Sequence, residues 1–128
     1  MATDGSAPRV LVADDERVIA DTLAVILRQH GYDAQAVYNG IEAVEYARRN
    51  PPDLVISDVV MPGLNGIDAA IQIRELIPSC QILLFSGQAA TADLLESARA
   101  HGHQFEILAK PVHPNELLAK LASVAQHR

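Results

Sequence analysis

The chain has 128 residues, with 16 acidic side chains against 10 Lys and Arg and a formal net charge of −6. That length fits one globular domain, and 49% hydrophobic against 20% charged residues excludes bulk disorder. The acidic balance argues against nucleic acid as a direct partner, because phosphate binding needs a basic face. Cys80 is the one cysteine, so neither an internal disulfide nor a cysteine-based zinc site is expected, and a reducing cytoplasm is the natural compartment. No apolar segment is long enough to span a membrane, and no membrane partner is expected.

Residues 1–8 read as a flexible tail, and the ordered domain is expected over 9–126 with no output domain. The first strand is expected at Arg9–Ala13, and a weaker one at Ala34–Val37. Leu54–Ser57, Ile82–Phe85 and Phe105–Ala109 complete five short runs. Most are nearly all apolar, which implies cover on both faces and a parallel sheet. Between them, Glu16–Gln29 repeats Ile19, Leu23, Ile26 and Leu27 at helical spacing and stops at Gly31. Further helices are expected at Ile41–Arg49, Asn65–Ile77 (Ile67, Ala70, Ile71, Arg74), Thr91–Ala100 and Pro114–Ala125. Five strands alternating with five helices predict an α/β fold, a (βα)5 three-layer sandwich around a five-stranded parallel sheet. In such folds ligands bind at the carboxyl ends of the strands.

Those ends carry the chemistry. Asp14, Asp15 and Glu16 follow the first strand, Asp58 the third, Ser86 the fourth and Lys110 the fifth. Two carboxylates about 4 Å apart repel by about 4 kcal/mol at an effective dielectric of 20, so the cluster needs counter-charge. Lys110 supplies one positive charge, and an oxygen-rich, water-accessible site suits Mg²⁺. A carboxylate nucleophile, a hydroxyl, an ammonium and a divalent cation are the parts of a phosphoryl-transfer site. Gly63 and Gly66 are expected to let the loop after Asp58 turn sharply.

Blander readings exist for each residue taken alone. Asp14 and Asp15 suit a helix N-terminus, Asp58 and Ser86-Gly87 suit turns, and Lys110 suits a solvated surface. Their joint position at strand ends favours the site. His101 and His103 read as a solvated helix end rather than metal ligands, and His30, His113 and His127 as helix-end residues. Arg48-Arg49 suits a helix C-terminus, and Cys80 a small buried hydrophobe.

The segments VLVADDE at 10–16, LVISDVVMPGLNG at 54–66, LLFSG at 83–87 and AKP at 109–111 resemble the receiver domain of two-component response regulators. The resemblance covers residues 9–126 and implies the flavodoxin-like strand order 2-1-3-4-5. It implies that Asp58 accepts a phosphoryl group from a phosphohistidine of a sensor histidine kinase or phosphotransfer protein. It further implies that Asp14, Asp15, Asp58 and the backbone carbonyl of Val60 hold Mg²⁺, with Mn²⁺ as a substitute. Ser86 would be the switch hydroxyl, Lys110 would pair with the phosphoryl group, and the bond to Pro111 would be cis. A downstream protein partner would bind residues 91–125, and the chain would be a monomer or weak homodimer.

The chain departs from the family pattern at Ile107, where an aromatic ring is usual three residues before the lysine. Phe105 lies about 6.6 Å along the strand on the same face and is not an obvious replacement. Val60 and Gln88 occupy the positions that tune loss of the phosphoryl group, and an apolar Val60 predicts a long-lived phosphoryl form. Val60 also stands where a phosphohydrolase using an Asp nucleophile would carry a second Asp. The chain is therefore expected to catalyse only its own phosphorylation and dephosphorylation, not turnover. An interaction module that had abandoned phosphorylation would be expected to have lost some of Asp14, Asp15, Asp58, Ser86 or Lys110, and none is missing.

Overall fold

The computed structural model describes residues 7–87, 91–103, 105–110 and 113–126, with the side chains of 91–95 and 124–126 excepted. The strands are β1 (Arg9–Ala13), β2 (Asp33–Val37), β3 (Leu54–Asp58), β4 (Gln81–Ser86) and β5 (Glu106–Ala109). The helices are α1 (Arg17–Gln29), α2 (Gly40–Arg49), α3 (Gly66–Leu76), α4 (Thr91–Ala100) and α5 (Pro114–Gln126). The strands form one parallel sheet in the order β2-β1-β3-β4-β5.

Alternation along the strands explains why they read as apolar runs. Leu11, Val55, Ile82 and Leu84 pack with Ala43, Val44, Ile67, Ala70, Ile73 and Ala98 of α2, α3 and α4. Their sequence neighbours Val10, Val12, Leu54, Ile56, Leu83 and Phe85 pack on the other face with Leu23 and Leu27 of α1 and Leu117 and Leu121 of α5. Each central strand thus removes both faces from water.

Helix faces differ in detail from the spacing-based expectation. In α1 the buried residues are Ala20, Leu23, Ala24 and Leu27, and Ile19 is only partly covered. Small alanines let that helix lie close to the sheet. In α3, Ala69 and Ile73 join Ile67 and Ala70 in the core, because this helix has helical neighbours on both flanks. Asn39 and Asn65 cap α2 and α3, their side chains accepting from the backbone N–H of Glu42 at 2.8 Å and Asp68 at 2.9 Å.

Two expectations need correction at β5. Phe105 precedes β5, which starts at Glu106. Only Leu108 of that strand is buried, so β5 is a half-exposed edge rather than a strand covered on both faces, with Ile107 37% exposed. Of the tail expected over 1–8, residues 1–6 lie outside the described residues, and the carbonyl of Pro8 accepts from the Asp33 N–H at 2.9 Å.

Cys80 lies just before β4 and is buried, and burial pushes its thiol up to about 12. Among the described residues no helix is long and apolar enough to cross a membrane.

Candidate functional site

The carboxyl ends of β1, β3, β4 and β5 deliver the predicted side chains to one edge. Asp14 and Asp15 directly follow β1, Asp58 ends β3, Ser86 ends β4 and Lys110 follows β5. Asp14, Asp15 and Asp58 each present a carboxylate oxygen, and these oxygens all lie within 4.8 Å of one another. The Lys110 ammonium donates to Asp58 Oδ2 at 3.0 Å and stands 3.7 Å from Asp14 Oδ2. It also lies 5.4 Å from the centre of the Phe85 ring. Ser86 sits beside Ala109 in the β4–β5 register, and its carbonyl accepts from the Lys110 N–H at 3.0 Å.

The three acids differ in setting. Asp14 is fully buried, Asp58 is 7% exposed and Asp15 is exposed. Burial raises the Asp14 pKa, opposed by the Glu16 N–H and the Lys110 charge and reinforced by Asp58 and Asp15. Asp14 Oδ1 accepts that N–H at 2.9 Å, whereas buried Oδ2 has no hydrogen-bond partner. For Lys110, burial works to lower the pKa, but the hydrogen bond and charge of Asp58, with Asp14 and Glu16 behind, outweigh it and the net direction is upward.

The helix-capping reading of the acidic pair receives a specific answer. Glu16, not Asp14 or Asp15, is the N-cap of α1, and it makes no side-chain cap bond. Asp14 supports that helix start only through its bond to the Glu16 N–H.

A divalent cation fits this donor set. Three carboxylates of a hard-oxygen type converge, and one buried Asp14 oxygen has unmet acceptor capacity. Val60, the fourth expected ligand through its carbonyl, follows Asp58 by two residues with its side chain 51% exposed.

Some contributors were not singled out in the sequence. Ser57 is buried and donates through Oγ to the carbonyl of Asp58 at 2.9 Å. Its only sequence signal is a hydroxyl inside an apolar run. Gly63 adopts a left-handed φ of 79°, as a sharp turn requires. Gly66 serves differently from expectation: a Cβ there would collide with the carbonyl of Asp58, so this glycine permits close approach of α3 to the site. Gln88 and Pro111 lie outside the described residues, including the expected cis bond. His101 accords with a helix end, its Nδ1 2.8 Å from the Ser97 carbonyl oxygen, and His113 Nδ1 accepts from the Asn115 N–H at 3.2 Å as α5 begins.

An acidic triad closed by a lysine, at the strand ends of a (βα)5 sandwich, defines a class of signalling domain. A family model for the response regulator receiver domain matches residues 10–122. Chemotaxis protein CheY of Thermotoga maritima is 34% identical over 119 residues, covering 92% of this chain and 98% of that protein. The probable transcriptional regulatory protein TcrX of Mycobacterium tuberculosis is 31% identical over 121 residues, covering 94% of this chain. This chain spans only about half of TcrX, 51% of its length. Among solved structures, the chemotaxis protein CheY4 of Vibrio cholerae superposes with a TM-score of 0.81 at 28% identity, covering 92% of this chain and 98% of that one. A CheY-like receiver domain protein from Methanospirillum hungatei shares the fold with a TM-score of 0.85 at 24% identity, covering 95% and 96%. The chain belongs to the response regulator receiver family of two-component signalling.

Proposed function

We propose that Asp58 accepts a phosphoryl group from a phosphohistidine on a sensor histidine kinase or phosphotransfer protein. The observation that carries this is the 3.0 Å contact between Lys110 Nζ and Asp58 Oδ2 beside buried Asp14. A carboxylate oxygen of Asp58 forms the new P–O bond as the P–N bond breaks, and the imidazole nitrogen leaves with the electron pair. Lys110 is placed to neutralise charge on the transferring oxygens, and the Ser86 hydroxyl is a donor at the same edge. Asp14, Asp15 and Asp58, with the Val60 carbonyl, would hold Mg²⁺ or Mn²⁺, which supplies further positive charge to those oxygens.

The product carries extra negative charge and strong acceptor oxygens, so Ser86 and Lys110 have new partners to meet. Both lie at the ends of β4 and β5, whose following helices belong to the 91–125 output surface. A downstream protein that prefers the rearranged surface reads the signal. No carboxylate stands at Val60 to assist hydrolysis, which fits a switch rather than a turnover enzyme. The acidic composition fits protein partners rather than direct DNA contact, and the buried Cys80 thiol suits a reducing cytoplasm.

The test is to treat the protein with phosphoramidate, a small P–N donor, in Mg²⁺, then reduce with borohydride. An aspartyl phosphate becomes homoserine, which peptide sequencing locates. Homoserine at position 58 is expected, and homoserine at another Asp or none would contradict the assignment.

A further inference from the structure

A second chemistry-bearing region lies at the opposite end of the sheet. A cavity of about 430 Å³ opens where β4 and β5 begin, lined in part by Arg74, Arg99, His103, Phe105, Glu106 and Ile107. Arg74 comes from the last turn of α3 and Arg99 from the last turn of α4. A basic residue at a helix C-terminus is favoured by the helix dipole, which accounts for each arginine singly. It does not account for their meeting, with His103, on one cavity in a chain of net charge −6.

The polar groups of this lining are also held. The Arg74 guanidinium lies 4.8 Å from the centre of the Phe105 ring. The His103 ring stacks on the same phenyl group, with centroids 6.3 Å apart and planes 4° from parallel. Phe105 itself packs against the core of the α2–α4 side, so this platform is anchored. Arg99 pairs with Glu96 at 2.7 Å, but both side chains are more than half exposed and such a pair is weak in water. The acid of the lining, Glu106, is engaged by Lys120 of α5.

We propose that this cavity binds a small phosphate monoester, its phosphate between Arg74 and Arg99 and its organic body over the Phe105 side of the cavity. Guanidinium forks from two helices match the several oxygens of a phosphate better than the two of a carboxylate. The volume exceeds what inorganic phosphate fills and lies within the range of small-ligand sites. Such a ligand bridges α3, α4 and the start of β5, the strand that carries Lys110 at its other end. The site is therefore suited to an effector that biases the receiver without touching Asp58. The binding step stands whether or not Asp58 is phosphorylated.

The experiment is an NMR titration of the ¹⁵N-labelled chain with phenyl phosphate and, separately, inorganic phosphate, both in EDTA so that no cation draws phosphate to the acidic site. Expected are saturable shifts of the Gly102, His103, Phe105 and Glu106 amides, with phenyl phosphate binding at least fivefold more tightly than inorganic phosphate. Arg99→Met, at an exposed position, should weaken phenyl phosphate roughly tenfold, and Arg74→Met, which keeps an apolar stem against Phe105, similarly. Shifts centred on Gly87 and Lys110 would overturn the site. Equal affinity for the two probes, no saturation, or indifference to Arg99→Met in a folded variant would each overturn it too.

Discussion

Lys110 Nζ bonds Asp58 Oδ2 at 3.0 Å, joining residues 52 positions apart at the ends of β5 and β3. The same ammonium is 3.7 Å from Asp14 Oδ2, so one cation holds together two carboxylates that are otherwise out of water. The carboxylate proposed to accept the phosphoryl group is thus already paired with the ammonium proposed to neutralise its charge.

Lys110→Met should separate the two roles of that lysine. Phosphorylation by a small donor should fall at least a hundredfold, because charge on the transferring oxygens loses its partner. Mg²⁺ affinity, measured by calorimetry, should rise severalfold, because an ammonium no longer competes for the Asp58 and Asp14 oxygens. Unchanged phosphorylation in a folded variant would remove Lys110 from the mechanism.

Asp14→Asn should raise metal-free stability and abolish the stabilisation by Mg²⁺. The wild-type carboxylate is fully buried with one oxygen lacking a hydrogen bond, and an amide removes that buried charge. A ligand that binds only the folded state stabilises by RT ln(1 + [L]/Kd), about 2.7 kcal/mol at a hundredfold excess over Kd. Thermal melts with Mg²⁺ and with EDTA should therefore differ for wild type and coincide for the variant.

Three glycines near the site should respond in a fixed order. Gly66→Ala forces a Cβ onto the Asp58 carbonyl and should cost about 2–4 kcal/mol. Gly63→Ala, at φ 79°, should cost about 1–2 kcal/mol through backbone strain alone, since the new Cβ would stand an ordinary 3.6 Å from Ile41 Cδ1. Gly87→Ala meets the Lys110 side chain at 3.4 Å and should be close to neutral. Urea denaturation of the three variants ranks them, and a neutral Gly66→Ala would contradict the packing described for α3.

Cys80 contributes to the alkaline limb of stability. Its thiol ionises at about 12 when folded, against an ordinary 9.0, because burial disfavours the thiolate. Between those values the unfolded chain has lost the proton and the folded chain has kept it, so stability falls as pH rises. The slope is at most about 1.4 kcal/mol per pH unit above the ordinary value. Cys80→Ala should flatten it, as read from urea midpoints between pH 8 and 10.5.

The five strands and the edge-clustered residues were legible because apolar runs and strand-end polar residues are local signals. Asp14, Asp15, Asp58 and Lys110 could be picked by position, and the structure brings all four together. What was not legible depends on tertiary approach. Gly66 looks like any turn glycine until α3 is placed against the Asp58 carbonyl, and Ser57 looks like a strand residue until its hydroxyl is seen on that same carbonyl. The apolar ring of Phe105 reads from sequence as the start of β5, yet it precedes the strand and contacts Arg74 and His103.

Val60, 51% exposed, offers no group to orient an attacking water near Asp58. The phosphorylated chain should therefore have a half-life of minutes or longer at neutral pH, followed by intact mass after donor removal. A half-life of seconds would remove the idea.

The most direct measurement is intact mass spectrometry after exposure to acetyl phosphate, with and without Mg²⁺, for wild type and Asp58→Asn. The account predicts one added phosphoryl group in wild type, dependent on Mg²⁺ and absent from Asp58→Asn. No adduct on folded wild-type protein in Mg²⁺, or an adduct that survives Asp58→Asn, would contradict it.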